Sequence, residues 1–413
     1  MMNKNKLKEV VYDQIGLFKN RLNYVEREIP ADCLKTKKIF IITGIRRSGK
    51  STLLKQIADS YKNFYYFNFE DERLLDFTKD DFNSLWEIFL ELFGKRPVVF
   101  FDEIQYVFGW EKFISRLFNQ GYKIFITGSS ANLLSREMAT ALTGRHLKTE
   151  LYPFSFKEFL KYHKVEIKAN QTTAERAKMK KYFNLYLEYG GFPEIVISQD
   201  KNELKQLYQD VIIRDLLVRF KIKEVKAFRE LALYLISNIA SPVSFNNLKK
   251  ILGFKSVTSV KNYVEFLEEA YLIFSLSKYD YSLKRQIIND RKIYGIDLGL
   301  IRETSFNFSK NSGRFLENLV FLELKRRCRE IYYYKNKLEC DFLIRQGLKI
   351  SAAIQVSQEL NLNNRSREIN GLVAALKEYK LTEGLILTYD QEEEIIVDKL
   401  KITCRPVWKW LLE

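Results

Sequence analysis

The chain has 413 residues, 46% of them apolar, and carries 68 lysines and arginines against 52 aspartates and glutamates, a formal charge of +16. That size suits two or three domains with separate cores, and so positive a field suits polyanionic partners, of which nucleic acid is the commonest. Two histidines and four dispersed cysteines exclude a histidine-rich metal centre, a histidine-dependent triad, a zinc knuckle and a disulfide framework, so a reducing cytoplasm is the expected location.

Alternating strands and helices are predicted from about residue 36 to 160. The first strand, 39–42, runs into Gly44-Ile45-Arg46-Arg47-Ser48-Gly49-Lys50-Ser51-Thr52, and a helix-forming stretch follows. This is a complete GxxxxGK[ST] loop in strand–loop–helix context. Glycines let successive backbone N–H groups turn inward on phosphate oxygens, and the helix adds its positive dipole end at the same place. A nucleoside triphosphate is the expected ligand. Gly44, Arg46, Arg47, Ser48, Gly49, Lys50, Ser51 and Thr52 are its expected contacts, with Lys50 on the β and γ phosphates and Ser51 on Mg2+.

A second strand, 64–69, contains Asn68, which could hydrogen-bond Glu103 in a resting state. The next, 97–101, is apolar without alternation, as befits burial on both faces, and ends in Asp102-Glu103. Asp102 is expected to share the Mg2+ with Ser51, and Glu103 to polarise the attacking water. The adjacent glutamate favours an ATP hydrolase of the additional-strand class over a kinase or GTPase. The strand at 123–126 leads to Thr127 and Ser129, either of which could sense the γ-phosphate, with Thr127 the expected cofactor contact. A helix at 132–142, Thr143-Gly144-Arg145 and a strand near 147–152 complete the region.

Residues 165–176 read as a loop or helix lead-in, and Tyr189-Gly190-Gly191-Phe192-Pro193-Glu194 as a rigid turn. Helices are predicted at 228–239, 244–252 and 256–270, with Gly253 as a stop, and strands at 271–276 and 292–296. This is a winged-helix pattern. Between residues 205 and 297 there are 16 basic and 10 acidic residues, and Ser256, Thr258, Ser259 and Lys261 open the candidate recognition helix. Residues 306–313 read as a connector.

From 313 onward the predicted order is αβββαβ, that of PD-(D/E)xK, or restriction-endonuclease-like, domains. Such enzymes use carboxylates to hold Mg2+ and a lysine to support the attacking water. Glu317 and Asp341 stand at two of the acidic positions, but the third reads Gln355-Val356-Ser357, so nuclease activity is not expected.

The loop at 44–52, Asp102-Glu103-Ile104-Gln105, Gly144-Arg145, residues 151–156, Gly190-Gly191-Phe192-Pro193-Glu194 and Arg314-Phe315-Leu316-Glu317-Asn318 together resemble the bacterial and archaeal orphan AAA-type ATPases over nearly the whole chain. The resemblance implies an α/β P-loop AAA-type core with a parallel sheet (1–188), a helical lid and winged helix (189–305), and a catalytically degenerate nuclease-like domain (306–413). It also implies ATP and Mg2+ as cofactors and Arg145 as a catalytic arginine reaching a neighbouring subunit's site in a ring, most simply a hexamer. Arg214 is a candidate lid sensor. The function expected is ATP-driven binding and moving or remodelling of DNA, branched DNA among its forms. An ATP-controlled signalling or defence switch acting through protein partners is the alternative, and a metal-dependent nuclease comes last. No apolar run is long enough to cross a membrane, and residues 1–6 lack the apolar stretch of a secretion signal, so no membrane association is expected.

Overall fold

The computed structural model describes residues 2–20, 24–30, 32–131, 142–168, 172–305, 312–328 and 330–413. All but the last residue of the helix expected at 132–142, and most of the connector expected at 306–313, lie outside them. Two compact units form, Met1–Tyr152 and Pro153–Glu413. The boundaries expected after 188 and 305 both fall within the second.

In the first unit, β1 (Ile39–Thr43), β2 (Phe64–Asn68), β3 (Val98–Asp102), β4 (Lys123–Gly128) and β5 (His146–Glu150) make one parallel sheet in the order β2-β3-β4-β1-β5. Strand β4 is thus inserted between the strand before the phosphate-type loop and the strand ending in Asp102. The first four strands are buried on both faces because each supplies large apolar side chains to both. Ile39, Ile41, Tyr65, Phe67, Val99, Phe101, Ile124 and Ile126 pack on one side, against helices Lys4–Asn20, Phe82–Phe93 and Trp110–Asn119. Their neighbours in sequence, Phe40, Ile42, Phe64, Tyr66, Val98, Phe100 and Phe125, pack on the other, against Leu53, Leu54, Ile57 and Ala58 of helix Lys50–Ala58. Phe100 stacks on Phe125 at 4.8 Å between ring centroids. These two layers clamp the carboxyl ends of β1, β3 and β4 side by side, which is where open α/β sheets present their ligand sites.

The second unit begins with helices Phe156–Tyr162 and Thr173–Tyr189, each opened by a reciprocal capping box, Ser155 with Glu158 and Thr172 with Glu175. The Gly190-Gly191 turn is a junction. Gly190 has φ +76°, and a Cβ there would lie 2.1 Å from Asp297 Oδ1. Asp297 in turn accepts from Gly191 N (2.6 Å) and from Leu300 N (2.9 Å), capping helix Leu298–Thr304. Helices Val225–Ser237, Phe245–Ile251 and Val257–Glu269 follow, together with a small antiparallel sheet of β6 (Pro242–Val243), β7 (Ile273–Ser277) and β8 (Arg291–Gly295) in the order β6-β8-β7. The three helices and two of the strands lie where the sequence pattern puts them. Strand β6 and the short helix Leu283–Ile288 joining β7 to β8 do not show in it.

Helix Ser312–Arg327, β9 (Ile331–Lys335), β10 (Glu339–Gln346), β11 (Lys349–Val356), helix Arg365–Tyr379 and β12 (Glu383–Thr388) reproduce the expected αβββαβ order. Two further strands, β13 (Glu393–Val397) and β14 (Leu400–Pro406), extend the sheet to six, in the order β13-β14-β12-β11-β10-β9. No helix among the described residues is long and apolar enough to cross a membrane.

Candidate nucleotide site

The loop after β1 is built around a close approach. At Gly44 a Cβ would lie 2.2 Å from Leu151 O, so only glycine lets the loop pass the chain leaving β5. Arg47 takes a left-handed φ of 62°, and Gly49, at φ 91°, caps the helix that starts at Lys50. The loop is pinned from outside by Arg27, a buried side chain that donates to Ser48 O (2.8 Å) and Tyr152 O (2.7 Å). Gln56 fixes Arg27 in turn through both its backbone groups. Neither residue shows in the motif, because the contact joins segments far apart in sequence.

Four side chains singled out from sequence converge. Lys50 Nζ lies 3.1 Å from Glu103 Oε1 and donates to Ile45 O at 3.2 Å. Ser51 hydrogen-bonds Asp102, which also receives the hydroxyl protons of Thr127 and, at 3.2 Å, Tyr66. Thr127 Oγ1 accepts from Glu103 N at 2.9 Å, so one hydroxyl at the end of β4 ties both acidic residues at the end of β3. Glu103 itself holds a left-handed backbone, φ 50° and ψ 47°, which turns its side chain out of the strand direction toward Lys50.

The two carboxyl groups are pushed apart. Burial, with the neighbouring Glu103 charge, raises Asp102 despite hydrogen bonds from Thr127 and Ser51. Burial also works against the Glu103 carboxylate, but Lys50, the Gln105 amide and Arg46 outweigh it and hold Glu103 below the usual range.

Asn68 ends β2 as expected, yet its amide does not serve Glu103. Asn68 Oδ1 accepts from Glu70 N at 2.9 Å, turning the chain. Gln105 is the residue at Glu103, with Nε2 2.5 Å from Glu103 Oε2 and 3.2 Å from Ser129 Oγ. A short helical turn at Ile104–Tyr106 brings Gln105 back over Glu103, which the sequence string Asp-Glu-Ile-Gln alone does not disclose. Arg46 pairs with Glu70 (2.8 Å) and donates to Tyr106 OH (3.1 Å). Thr52 is half-buried on the first helical turn. Arg145 is exposed before β5, its guanidinium 3.2 Å from Asn119 Oδ1 and 3.5 Å from Ser115 Oγ. Arg214 is exposed in the second unit near Asp210.

The donor set fits a magnesium-bound triphosphate. Ser48 Oγ, inside the loop, is buried and has no hydrogen-bond partner, as is Gln105 Oε1. An orphaned hydroxyl in a glycine-cleared loop beside a buried ammonium is a cradle for an anion, since burying it unpaired is costly unless a ligand completes it. Ser51 and Asp102 are oxygen donors of the hard type that Mg2+ takes.

Residues 36–160 match the AAA domain family, and residues 180–311 match a domain of unknown function (DUF8612). The chain is 41% identical to the uncharacterized protein MJ1544 of Methanocaldococcus jannaschii, over 98% of this chain and 94% of that protein. It belongs to that protein's family. An uncharacterized protein of Haemophilus influenzae is 30% identical, over 95% of this chain and 98% of its own length. Among solved structures, a signal transduction ATPase with numerous domains from Pyrococcus horikoshii is similar at 14% identity and a TM-score of 0.29, covering 75% of this chain and 46% of that one. The AAA domain of this family therefore coincides with the sheet, the loop and the acidic pair described above.

Proposed function

We propose that the chain is an AAA-type ATPase that hydrolyses ATP in the first unit and uses the cycle to bind and move or remodel DNA. The convergence of Lys50, Ser51, Asp102 and Glu103 carries the first half of that reading. Lys50 and the loop amides bind the phosphates, and Ser51 and Asp102 hold Mg2+, whose charge offsets that on the phosphate oxygens. Glu103 is the general base. Its depressed proton affinity keeps it ionised at neutral pH, and its hydrogen bond to Gln105 aims it. Thr127 orients Asp102 and Glu103 together, and Ser129, bonded to Gln105, links that pair to the end of β4. Arg145 serves the site of a neighbouring copy in a ring, most simply a hexamer. It is exposed just before β5, the edge strand of the sheet, and its guanidinium reaches Asn119 and Ser115.

The net charge of +16 supports a nucleic-acid partner. The three helices and small sheet read as a winged helix, and helix Val257–Glu269 exposes Thr258, Lys261 and Asn262 beside Lys255. Ser256 and Ser259 are partly engaged with each other at its cap, so the exposed residues are the better contacts. The αβββαβ sheet reads as a nuclease-like domain without nuclease chemistry. ATP turnover measured at low salt with duplex, single-stranded and four-way junction DNA, with Lys50→Ala as blank, tests the reading. Stimulation by any of the three supports it. Turnover indifferent to all three removes the DNA half and leaves an ATP-controlled switch acting through protein partners.

A further inference from the structure

Lys292 is 1% exposed, at the second position of β8, and its ammonium points into the acidic centre of the C-terminal sheet. Nζ lies 2.9 Å from Glu317 Oε1, 2.9 Å from Asp341 Oδ1 and 2.8 Å from Glu339 Oε1. An ammonium has three hydrogens, and here three carboxylates from helix Ser312–Arg327 and β10 take one each. Other atoms of the cluster are also engaged. Tyr294 OH donates to Glu317 Oε1 at 2.7 Å, and Asp341 Oδ2 accepts from Val356 N at 3.0 Å. Gln355, at the third acidic position of the nuclease pattern, accepts from Asp341 N through Oε1 (3.2 Å) and donates through Nε2 to Glu368 Oε2 (2.6 Å).

Other contacts fasten the same strand. Asn318, next to Glu317, pairs both ways with the Gly295 backbone (2.7 and 3.0 Å). Just outside the strand, Tyr279 N, past the end of β7, donates to Tyr333 O (2.8 Å), and Tyr333 OH donates to Asp290 O, before β8 (2.6 Å). Glu317, singled out from sequence as an acidic position of a nuclease-type helix, and its neighbour Asn318 are thus spent on holding β8.

We propose that the Glu317, Asp341 and Glu339 carboxylates form a socket for an internal ammonium. Lys292 stands where a metal-dependent phosphodiesterase of this layout would hold its divalent cation, and the centre is a joint between the small sheet and the C-terminal sheet instead of a cleavage site. A fixed lysine gives the acids one positive charge and three N–H donors, yet it has no open coordination position for water or phosphate, so the centre binds its own chain and cuts nothing. The inference stands on this geometry and not on the ATP site.

The test uses the full chain without nucleotide. Lys292→Ala should open the socket to a lanthanide probe: Tb3+ emission sensitised by Tyr294, which adjoins Glu317, should rise in Lys292→Ala over the parent and fall at least about tenfold in apparent affinity when Glu317→Gln is added, as loss of one anionic ligand does. Lys292→Met should lower the melting temperature of the second unit by on the order of 10 °C, and adding Glu317→Met should recover part of it, because one of the three carboxylates left without a cation is removed. If the parent already gives Glu317-dependent Tb3+ emission, or cuts DNA with Mg2+ or Mn2+ in a way that Glu317→Gln abolishes, the proposal is overturned. Parent-like melting of Lys292→Met, or a double variant no more stable than the single, overturns it as well, and the melting pair decides the matter if Lys292→Ala does not fold.

Discussion

Replacing Glu103 by glutamine separates two jobs of one carboxylate. Lys50 and Glu103 are 3.1 Å apart with side chains 3% and 10% exposed, and at an effective dielectric of about 20 such a pair attracts by about 5 kcal/mol. A triphosphate has to draw Lys50 from that carboxylate and then lie beside its negative charge. Lys50 regains a partner in the phosphate, so only part of the attraction survives as a cost. If a third survives, glutamine favours the nucleotide by about 1.7 kcal/mol, a Kd lower by roughly 10- to 20-fold. Hydrolysis should move the other way, slowing by roughly 10² to 10⁴ fold, as loss of a general base does. Calorimetric titration with ADP and a non-hydrolysable ATP analogue reads the first effect, and single-turnover hydrolysis the second. Equal or weaker affinity in Glu103→Gln would show that the lysine is not held back by the carboxylate, and unchanged single-turnover rates would remove Glu103 as the base.

Arg145→Ala should slow turnover while leaving ADP affinity unchanged, and mixing it with Glu103→Gln protein should restore part of the activity; a mixture no more active than its components excludes a shared site. Gly190→Ala should destabilise the second unit by about 3 kcal/mol, because a backbone angle reserved for glycine costs about 1–3 kcal/mol and the new methyl displaces Asp297 from its backbone N–H donors; urea unfolding with a midpoint like the parent's contradicts this. Burial raises the Asp297 carboxyl to about 6, against the backbone donors Gly191, Leu300 and Gly299 and nearby Arg326. A folded value above the unfolded 3.8 means that folding takes up a proton, so the associated stability is full below about pH 4 and is lost as pH rises through about 6, by on the order of 2–3 kcal/mol. Asp297→Asn should abolish that slope in urea midpoints between pH 4 and 8, and an identical slope in both proteins refutes the assignment.

What was legible beforehand was local. The strand–loop–helix of 39–58, the acidic pair ending β3, the hydroxyl ending β4 and the αβββαβ order are all written in contiguous residues whose spacing matches backbone geometry. Those patterns sufficed to name Lys50, Ser51, Asp102, Glu103 and Thr127, and the fold brings all five together. Strand β13 escaped because Glu393-Glu394-Ile395-Ile396-Val397 does not alternate and lies on a half-exposed edge, Ile396 being 78% exposed, and neither it nor β14 carries a motif to mark it.

The composition and motifs of this chain determined an α/β unit with a glycine-rich loop after its first strand and, in the second part, an αβββαβ order of elements. Only the tertiary structure decided which amide serves Glu103, Gln105 in place of Asn68, and that Lys292 fills the acidic centre of the last sheet. The reason is physical. A hydrogen bond or ion pair depends on where side-chain atoms end after packing, and Lys292 and Asp341 are 49 residues apart in the chain yet 2.9 Å apart once the sheets have closed.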